Sequence, residues 1–261
     1  MGIVNVTPDS FSDGGKYFDP AAAVARARAL VAEGADILDI GGESSRPGAA
    51  PVALAEELAR VLPVLEGLSG IAVPISVDTV KPEVMRAAIG AGASIINDIT
   101  ALKAPGAMEA IAGSAAAVCL MHMQGEPRSM QANPQYEDVV TEVSDYLAER
   151  VDAALKAGIA RERIMIDPGY GFGKTLEHNI RLLRGLPQLA ALGVPVLAGW
   201  SRKSSLGKIT GRVAEERMPA SLAAGLLCVQ YGAKILRVHD VAATRDVIAV
   251  WEAVEGQGLE Q

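Results

Sequence analysis

Asp39, Asp78, Asn97, Asp167, Arg237 and His239 share one setting: each lies within or at the end of a short apolar run. The runs are Ile37-Leu38-Asp39-Ile40-Gly41-Gly42, Pro74-Ile75-Ser76-Val77-Asp78-Thr79, Ile95-Ile96-Asn97-Asp98, Ile164-Met165-Ile166-Asp167-Pro168-Gly169 and Ile235-Leu236-Arg237-Val238-His239-Asp240. Such runs read as strands covered on both faces. An ionisable group inside one costs several kcal/mol unless something pairs with it. Its recurrence points to a single polar site where the strands end. Asp78, Asp167 and the amide of Asn97 could together hold a heterocycle presenting adjacent N–H donors, such as a 2-amino-pyrimidinone edge. Asp39 fits the pattern without an evident task.

Cations form a second group. Arg237 and His239 are two apart on one strand and project to the same side. Ser201-Arg202-Lys203-Ser204 closes another strand, and Ser44-Ser45-Arg46-Pro47-Gly48 carries Arg46 on a loop. Lys203 could be a Schiff-base lysine, a phosphate ligand or a solvated residue; spacing does not choose. Asn5 could lend a neutral oxygen to a hard cation, which suits Mg2+ bound chiefly through substrate phosphates. The three histidines, His122, His178 and His239, are scattered and lack zinc-site spacing. Gly169-Tyr170-Gly171-Phe172-Gly173-Lys174-Thr175 approaches a phosphate-binding loop, but Pro168 stands where its first glycine belongs.

The elements that must position these residues alternate. Strands are expected near 2–6, 36–41, 74–79, 94–99, 116–122, 163–167, 195–200 and 235–239. Helices are expected near 20–33, 52–68, 82–91, 105–113, 135–157, 175–191, 215–231 and 241–254. The first has Asp19 as N-cap, Pro20 at the first helical position and Gly34 beyond its end. An internal repeat supports the reading. Gly34-Ala35-Asp36-Ile37-Leu38-Asp39, Gly92-Ala93-Ser94-Ile95-Ile96-Asn97 and Gly232-Ala233-Lys234-Ile235-Leu236-Arg237 each run from a glycine helix stop to an apolar pair and a polar residue. Eight such units make an α/β fold, a (β/α)8 TIM barrel, which takes about 250 residues. A doubly wound open sheet is the alternative. The chain, 1–261, is expected to be a single domain with substrate loops at 7–19 and 41–51, and its site at the C-terminal ends of the strands.

Composition narrows the partners. Half the residues are hydrophobic and only 4% aromatic, so the core rests on aliphatic side chains. A net charge of -7 argues against nucleic acid as the main partner. No apolar segment reaches the ~18 residues that span a bilayer. Cys119 and Cys228 both sit in apolar stretches, which fits a reducing, cytoplasmic setting without disulfides.

In order, these motifs resemble the dihydropteroate synthase family of the folate pathway along essentially the whole chain. Met1-Gly2-Ile3-Val4-Asn5-Val6-Thr7-Pro8-Asp9-Ser10-Phe11-Ser12-Asp13-Gly14-Gly15 and Asp39-Ile40-Gly41-Gly42-Glu43-Ser44-Ser45-Arg46-Pro47-Gly48 carry the likeness, with Met121-His122-Met123-Gln124-Gly125 and the runs quoted above. The resemblance implies joining 4-aminobenzoate to (7,8-dihydropterin-6-yl)methyl diphosphate, with Mg2+ assisting. It implies that Asp78, Asn97, Asp167 and Lys203 hold the pterin, and that Asp167, Lys203, Arg237 and His239 are catalytic. Asn5, Arg46, Asp13, Arg237 and His239 would engage the diphosphate, with Asn5 on the metal. Ser45, Pro47, Ser204, Phe11 and Phe172 would surround 4-aminobenzoate, where sulfonamides compete in that family. A homodimer is the family expectation. Ser45 replaces the usual Thr, keeping the hydroxyl and losing a methyl contact. A pterin-dependent methyltransferase barrel would not need the Ser-Arg-Lys and Arg-x-His cations, and a silent pterin-binding paralogue would not need the loops.

Overall fold

The computed structural model describes residues 1–6, 19–45 and 48–256. Among them run β1 (Gly2–Asn5), α1 (Pro20–Ala32), β2 (Leu38–Gly41), α2 (Leu54–Gly67), β3 (Ile75–Asp78), α3 (Pro82–Gly90), β4 (Ile95–Asp98) and α4 (Ala107–Ala112). Then come β5 (Ala117–Met121), α5 (Val139–Lys156), β6 (Ile164–Asp167), α6 (Leu176–Arg184), α7 (Leu186–Ala190) and β7 (Leu197–Ala198). The series ends with α8 (Ser204–Thr210), α9 (Met218–Gln230), β8 (Ile235–Leu236) and α10 (Val241–Val254). Strands β1 to β6 pair in parallel in chain order, and β7 pairs in parallel with β8. Single parallel bridges, Ile166 to Val196 and Gly2 to Val238, join the two groups and close the barrel.

Alternation along the strands sorts the core into two parts. Leu38, Ile40, Val77, Ile96, Val118, Leu120, Ile166, Val196 and Ala198 face outward into one continuous apolar layer shared with the helices. Met1, Ile95, Cys119, Met165 and Leu197 form a separate plug, with Ile37, Ala117 and Ile235 packed against it. Those residues are the inward-facing set. Filling a barrel with successive layers of side chains is the rule for this architecture.

The helix boundaries depart from expectation where local chemistry intervenes. Asp19 caps α1 as expected, accepting from the Ala21 amide at 2.9 Å. The helix expected over 175–191 is two, α6 and α7, parted at Gly185. Pro187 has no N–H to continue the ladder, and a Cβ at Gly185 would lie 2.4 Å from Val140. Helix α8 was not expected; it starts directly after Lys203 and stops at Gly211, whose φ is +71°. The seventh and eighth strands are two residues each, shorter than the expected spans. No helix among the described residues is long and apolar enough to cross a membrane.

Candidate active site

Four polar residues of the site, and Gly199, stand two positions beyond a plug residue or one packed against it. Ile37 precedes Asp39, Ile95 precedes Asn97, Met165 precedes Asp167, Leu197 precedes Gly199 and Ile235 precedes Arg237. Two residues along a strand return to the same face, so the polar set is the next inward layer, resting on the apolar plug. Asp39, Ser76, Asp78, Asn97 and Asp167 are all buried.

Arg237 organises one side of this layer. Its Nε donates to Asp39 Oδ2 at 2.6 Å and its Nη2 to Asp78 Oδ2 at 3.0 Å. Burial works against the guanidinium charge, but Asp39 and Asp78 outweigh it and hold its pKa above the ordinary value. Burial pushes the Asp78 carboxyl up, against the pull of Arg237. Asn97 Nδ2 lies 3.4 Å from Asp39 Oδ2. Thus Asp39, left without a task by its sequence, is a partner of both Arg237 and Asn97. Arg237, expected among the diphosphate cations, here pairs with Asp78, expected on the pterin, and with Asp39.

Asp167 and Lys203 occupy the other side. Burial raises the Asp167 pKa, opposed first by Lys203 and by the Gly169 amide, which donates to Oδ1 at 2.7 Å. Burial lowers Lys203 to about 8, opposed by Asp167. Lys203 Nζ donates to the Tyr170 carbonyl and sits 4.7 Å from the centre of the Phe172 ring. Of the three options left open for it, the solvated residue fits least with these contacts on a half-buried side chain. A Cβ on Gly199 would lie 3.7 Å from Arg237 Cβ and 3.8 Å from Asp167 Oδ2. The missing side chain therefore leaves a slot between the two charged groups, a feature spacing alone did not disclose.

The glycine-rich turn after β6 has a different purpose from a phosphate loop. Gly169, Gly171 and Gly173 all have positive φ. A Cβ on Gly169 would stand 2.0 Å from the His122 carbonyl oxygen, and one on Gly173 2.3 Å from that of Gln124. The glycines let this turn press against the end of β5. Lys174 fastens it from within: its Nζ lies 2.9 Å from His122 Nδ1 and 3.0 Å from the Phe172 carbonyl. Burial drops the Lys174 pKa well below its usual value, and burial followed by Lys174 pushes His122 down to about 2. Neither residue was picked out as functional. His178, expected at the surface, completes the capping box of α6 with Thr175.

Other motif residues divide between site and scaffold. Asp98, next to Asn97, points away from the site and accepts from the Thr100 amide at 2.7 Å and the Leu102 amide at 2.8 Å. Arg202 pairs with Asp240, its Nε 3.0 Å from Oδ2. His239 Nδ1 lies 3.0 Å from Ser201 Oγ, linking the ends of β8 and β7. Ser204 is exposed at the start of α8, and Asn5 is half-buried at the end of β1. Ser45 is half-buried on the loop after β2. The base of that loop is held by Lys81, which bridges Glu43 and Glu57, and by Arg60, which donates to the Gly42 carbonyl at 2.8 Å. Phe11, Asp13, Arg46 and Pro47 lie outside the described residues. Glu43, Ser45, Asp78, Thr79, Ile99, Met123 and Arg128 help line a cavity of about 320 Å³ between this loop and the ends of β3 to β5.

Residues 1–239 match the family model described as pterin binding enzyme. Over 97% of its length the chain is 55% identical to dihydropteroate synthase of Neisseria meningitidis serogroup B, covering 92% of that protein. Two solved structures of Xanthomonas albilineans dihydropteroate synthase superpose closely. One, with 4-aminobenzoic acid, has a TM-score of 0.93 at 57% identity, covering 98% of this chain and 92% of that one. The other, in complex with 7,8-dihydropteroate, has a TM-score of 0.89 at 54% identity with the same coverage. An inward polar layer of acids, amide, Arg and Lys on a closed eight-stranded barrel, with this likeness over nearly its full length, means that the chain belongs to the dihydropteroate synthases, within the pterin-binding enzymes.

Proposed function

We propose that this chain joins 4-aminobenzoate to (7,8-dihydropterin-6-yl)methyl diphosphate, releasing diphosphate and 7,8-dihydropteroate, and that 1–261 is one domain serving that reaction. The observation that carries this is the inward layer itself: Asp78, Asn97 and Asp167 converge from three strands beside Lys203 and Arg237. Acids and an amide oxygen suit the N–H-rich edge of a pterin, and Asp78, Asn97, Asp167 and Lys203 are its proposed ligands.

The chemistry asks for charge stabilisation more than for a base. The aryl amine is neutral at pH 7, so its lone pair is available. The bond between the methylene carbon and the diphosphate oxygen breaks with its electrons leaving on diphosphate. The dihydropterin delocalises the methylene cation, which favours departure before attack. The amine then forms the carbon–nitrogen bond and loses a proton to solvent. Anionic Asp167 and Asp78 favour the cation; Arg237 and His239 favour the departing anion. One well-aimed donor of this kind is commonly worth ~10²–10³ in rate. Arg46 and Asp13 are proposed to join them. Phe172, packed against Lys203, with Ser45, Pro47, Ser204 and Phe11, is proposed to border the aminobenzoate.

Mg2+ suits the donor set. Among the described residues no group of three or more His, Cys, Asp and Glu could hold a metal alone. The Asn5 amide oxygen is the kind of neutral ligand that serves an ion carried mainly by phosphate oxygens. When bound, Mg2+ would neutralise part of the diphosphate charge. A homodimer is supported by exposed Met218, Leu227 and Tyr231 on and just past α9, beside exposed Val250 and Val254 on α10. Buried free thiols at Cys119 and Cys228 support a cytoplasmic setting.

The test is diphosphate release from the pterin diphosphate. It is expected to require both 4-aminobenzoate and Mg2+; pterin binding without release would remove the synthase assignment.

A further inference from the structure

Asp39 sits mid-strand on β2, between Ile3 of β1 and Ser76 of β3, and is completely buried. A carboxylate there rests directly on the apolar plug, an expensive location unless its bonds matter. Its Oδ2 accepts from Arg237 Nε at 2.6 Å and faces Asn97 Nδ2 at 3.4 Å. Among the described residues Asp39 Oδ1, Asn97 Oδ1 and Ser76 Oγ are buried without a hydrogen-bond partner.

We infer that Asp39 is a positioning residue which aims the Arg237 guanidinium and decides which end of the Asn97 amide faces the pocket, an inference that rests on the pterin reading above. An ionised carboxylate only accepts, so Asn97 must turn its nitrogen toward Asp39 and keep its oxygen as an acceptor. Arg237 is held at two nitrogens by carboxylates on adjacent strands, Asp39 at Nε and Asp78 at Nη2. Two anchors fix the plane of the fork; one would leave it free to rotate. Without Asp39, Asp78 becomes the sole counter-ion of Arg237 and is drawn away from the ligand. Asp39 thus controls the geometry of Arg237 and Asn97 while lying beneath them.

The experiment uses the full chain with Asp39→Asn, an isosteric change that removes the charge. Steady-state diphosphate release is measured against each substrate, alongside thermal unfolding. Misplacing a binding group by about 1 Å can cost ~10²-fold. We expect kcat/KM for the pterin diphosphate to fall by that order while KM for 4-aminobenzoate stays within about twofold. The exchange variant Asp39→Asn with Asn97→Asp keeps one amide facing one carboxylate and the same net charge. It should recover at least about tenfold over Asp39→Asn alone, as expected for coupled neighbours. If Asp39→Asn does not fold, the exchange variant carries the test, with a pterin kcat/KM within about tenfold of wild type expected. A purely structural Asp39 would lower the unfolding temperature and leave both KM values unchanged, which overturns the inference. So would equal losses for both substrates, or an exchange variant no better than the single one. Wild-type protein that releases no diphosphate would instead count against the functional reading.

Discussion

On one side of the barrel mouth Arg237 is taken out of water and keeps its charge; on the other Lys174 is taken out of water and gives its charge up. Arg237 touches two carboxylates, Asp39 and Asp78, and both outweigh its desolvation. The hydrogen-bond partners of Lys174 are His122 Nδ1 and the carbonyls of His122 and Phe172, none of them an anion. Burial therefore wins, and the amine is driven toward its neutral form. The neighbours differ, and so does the depth: Lys174 is 3% exposed and the Arg237 side chain 19%. Where charge must act on a ligand, the barrel supplies counter-ions from adjacent strands. Where a turn must only be held still, an amine pushed toward its neutral form beside an imidazole is sufficient. The tautomer of His122 decides whether Nδ1 accepts from the amine or donates to its lone pair.

Replacing Arg237 by Met should be the most damaging change. It leaves Asp39 and Asp78 as buried carboxylates without their cation, and breaking a buried pair by removing one partner costs about 3–5 kcal/mol. Urea unfolding should show a loss of that size, with diphosphate release abolished. A loss under about 1 kcal/mol would mean that the charged side is not held by pairing at all. Asp167→Asn comes next and tests charge without removing shape. The Gly169 amide can still donate to the remaining side-chain oxygen, so the unfolding temperature should hardly move. Turnover should drop on the order of 10²–10³-fold, the usual effect of losing one electrostatic partner of a transition state. Wild-type turnover in this variant would refute its role.

How much of this was readable beforehand follows the same division. The eight strand–helix units, the Asp19 cap and the polar strand ends are local patterns, and Asp78, Asn97 and Asp167 do meet in one layer. The use of Asp39 was not readable, because its counter-ion arrives from 198 residues away and only barrel closure brings β8 beside β1. The same holds for Lys174, whose imidazole partner is 52 residues earlier, just past β5. The Gly169–Gly173 turn looked like a failed phosphate loop because its real constraint, the carbonyls of His122 and Gln124, belongs to the loop after β5. Asn97-Asp98 reads as one polar pair, yet strand alternation sends the first inward and the second out to fasten a turn. Helix α8 follows Arg202, whose φ of +57° is uncommon for a residue with a side chain and is held by Ser221 and Asp240.

The smallest expected effect, and the one that most directly separates the two sides, belongs to Lys174→Met. Met fills similar space without needing a proton removed, but it leaves the His122 nitrogen and two carbonyls without their partner. These contributions oppose each other, so stability near pH 7 should change by no more than about 1–2 kcal/mol. The pH dependence carries the signature. The folded pKa of Lys174 lies well below the 10.5 of the unfolded chain. Between those two values the unfolded protein binds a proton that the folded protein does not. Raising the pH therefore favours folding, by up to about 1.4 kcal/mol per pH unit, and the gain ends near the unfolded value. Wild type should gain stability relative to Lys174→Met between pH 8 and 9.5, read by urea unfolding at each pH. Any slope of Arg237→Met against wild type there has another source, Asp78, whose raised pKa Arg237 normally pulls down. Parallel profiles for wild type and Lys174→Met would mean that Lys174 stays protonated in its pocket, and the contrast between a paired charge and a surrendered one would collapse.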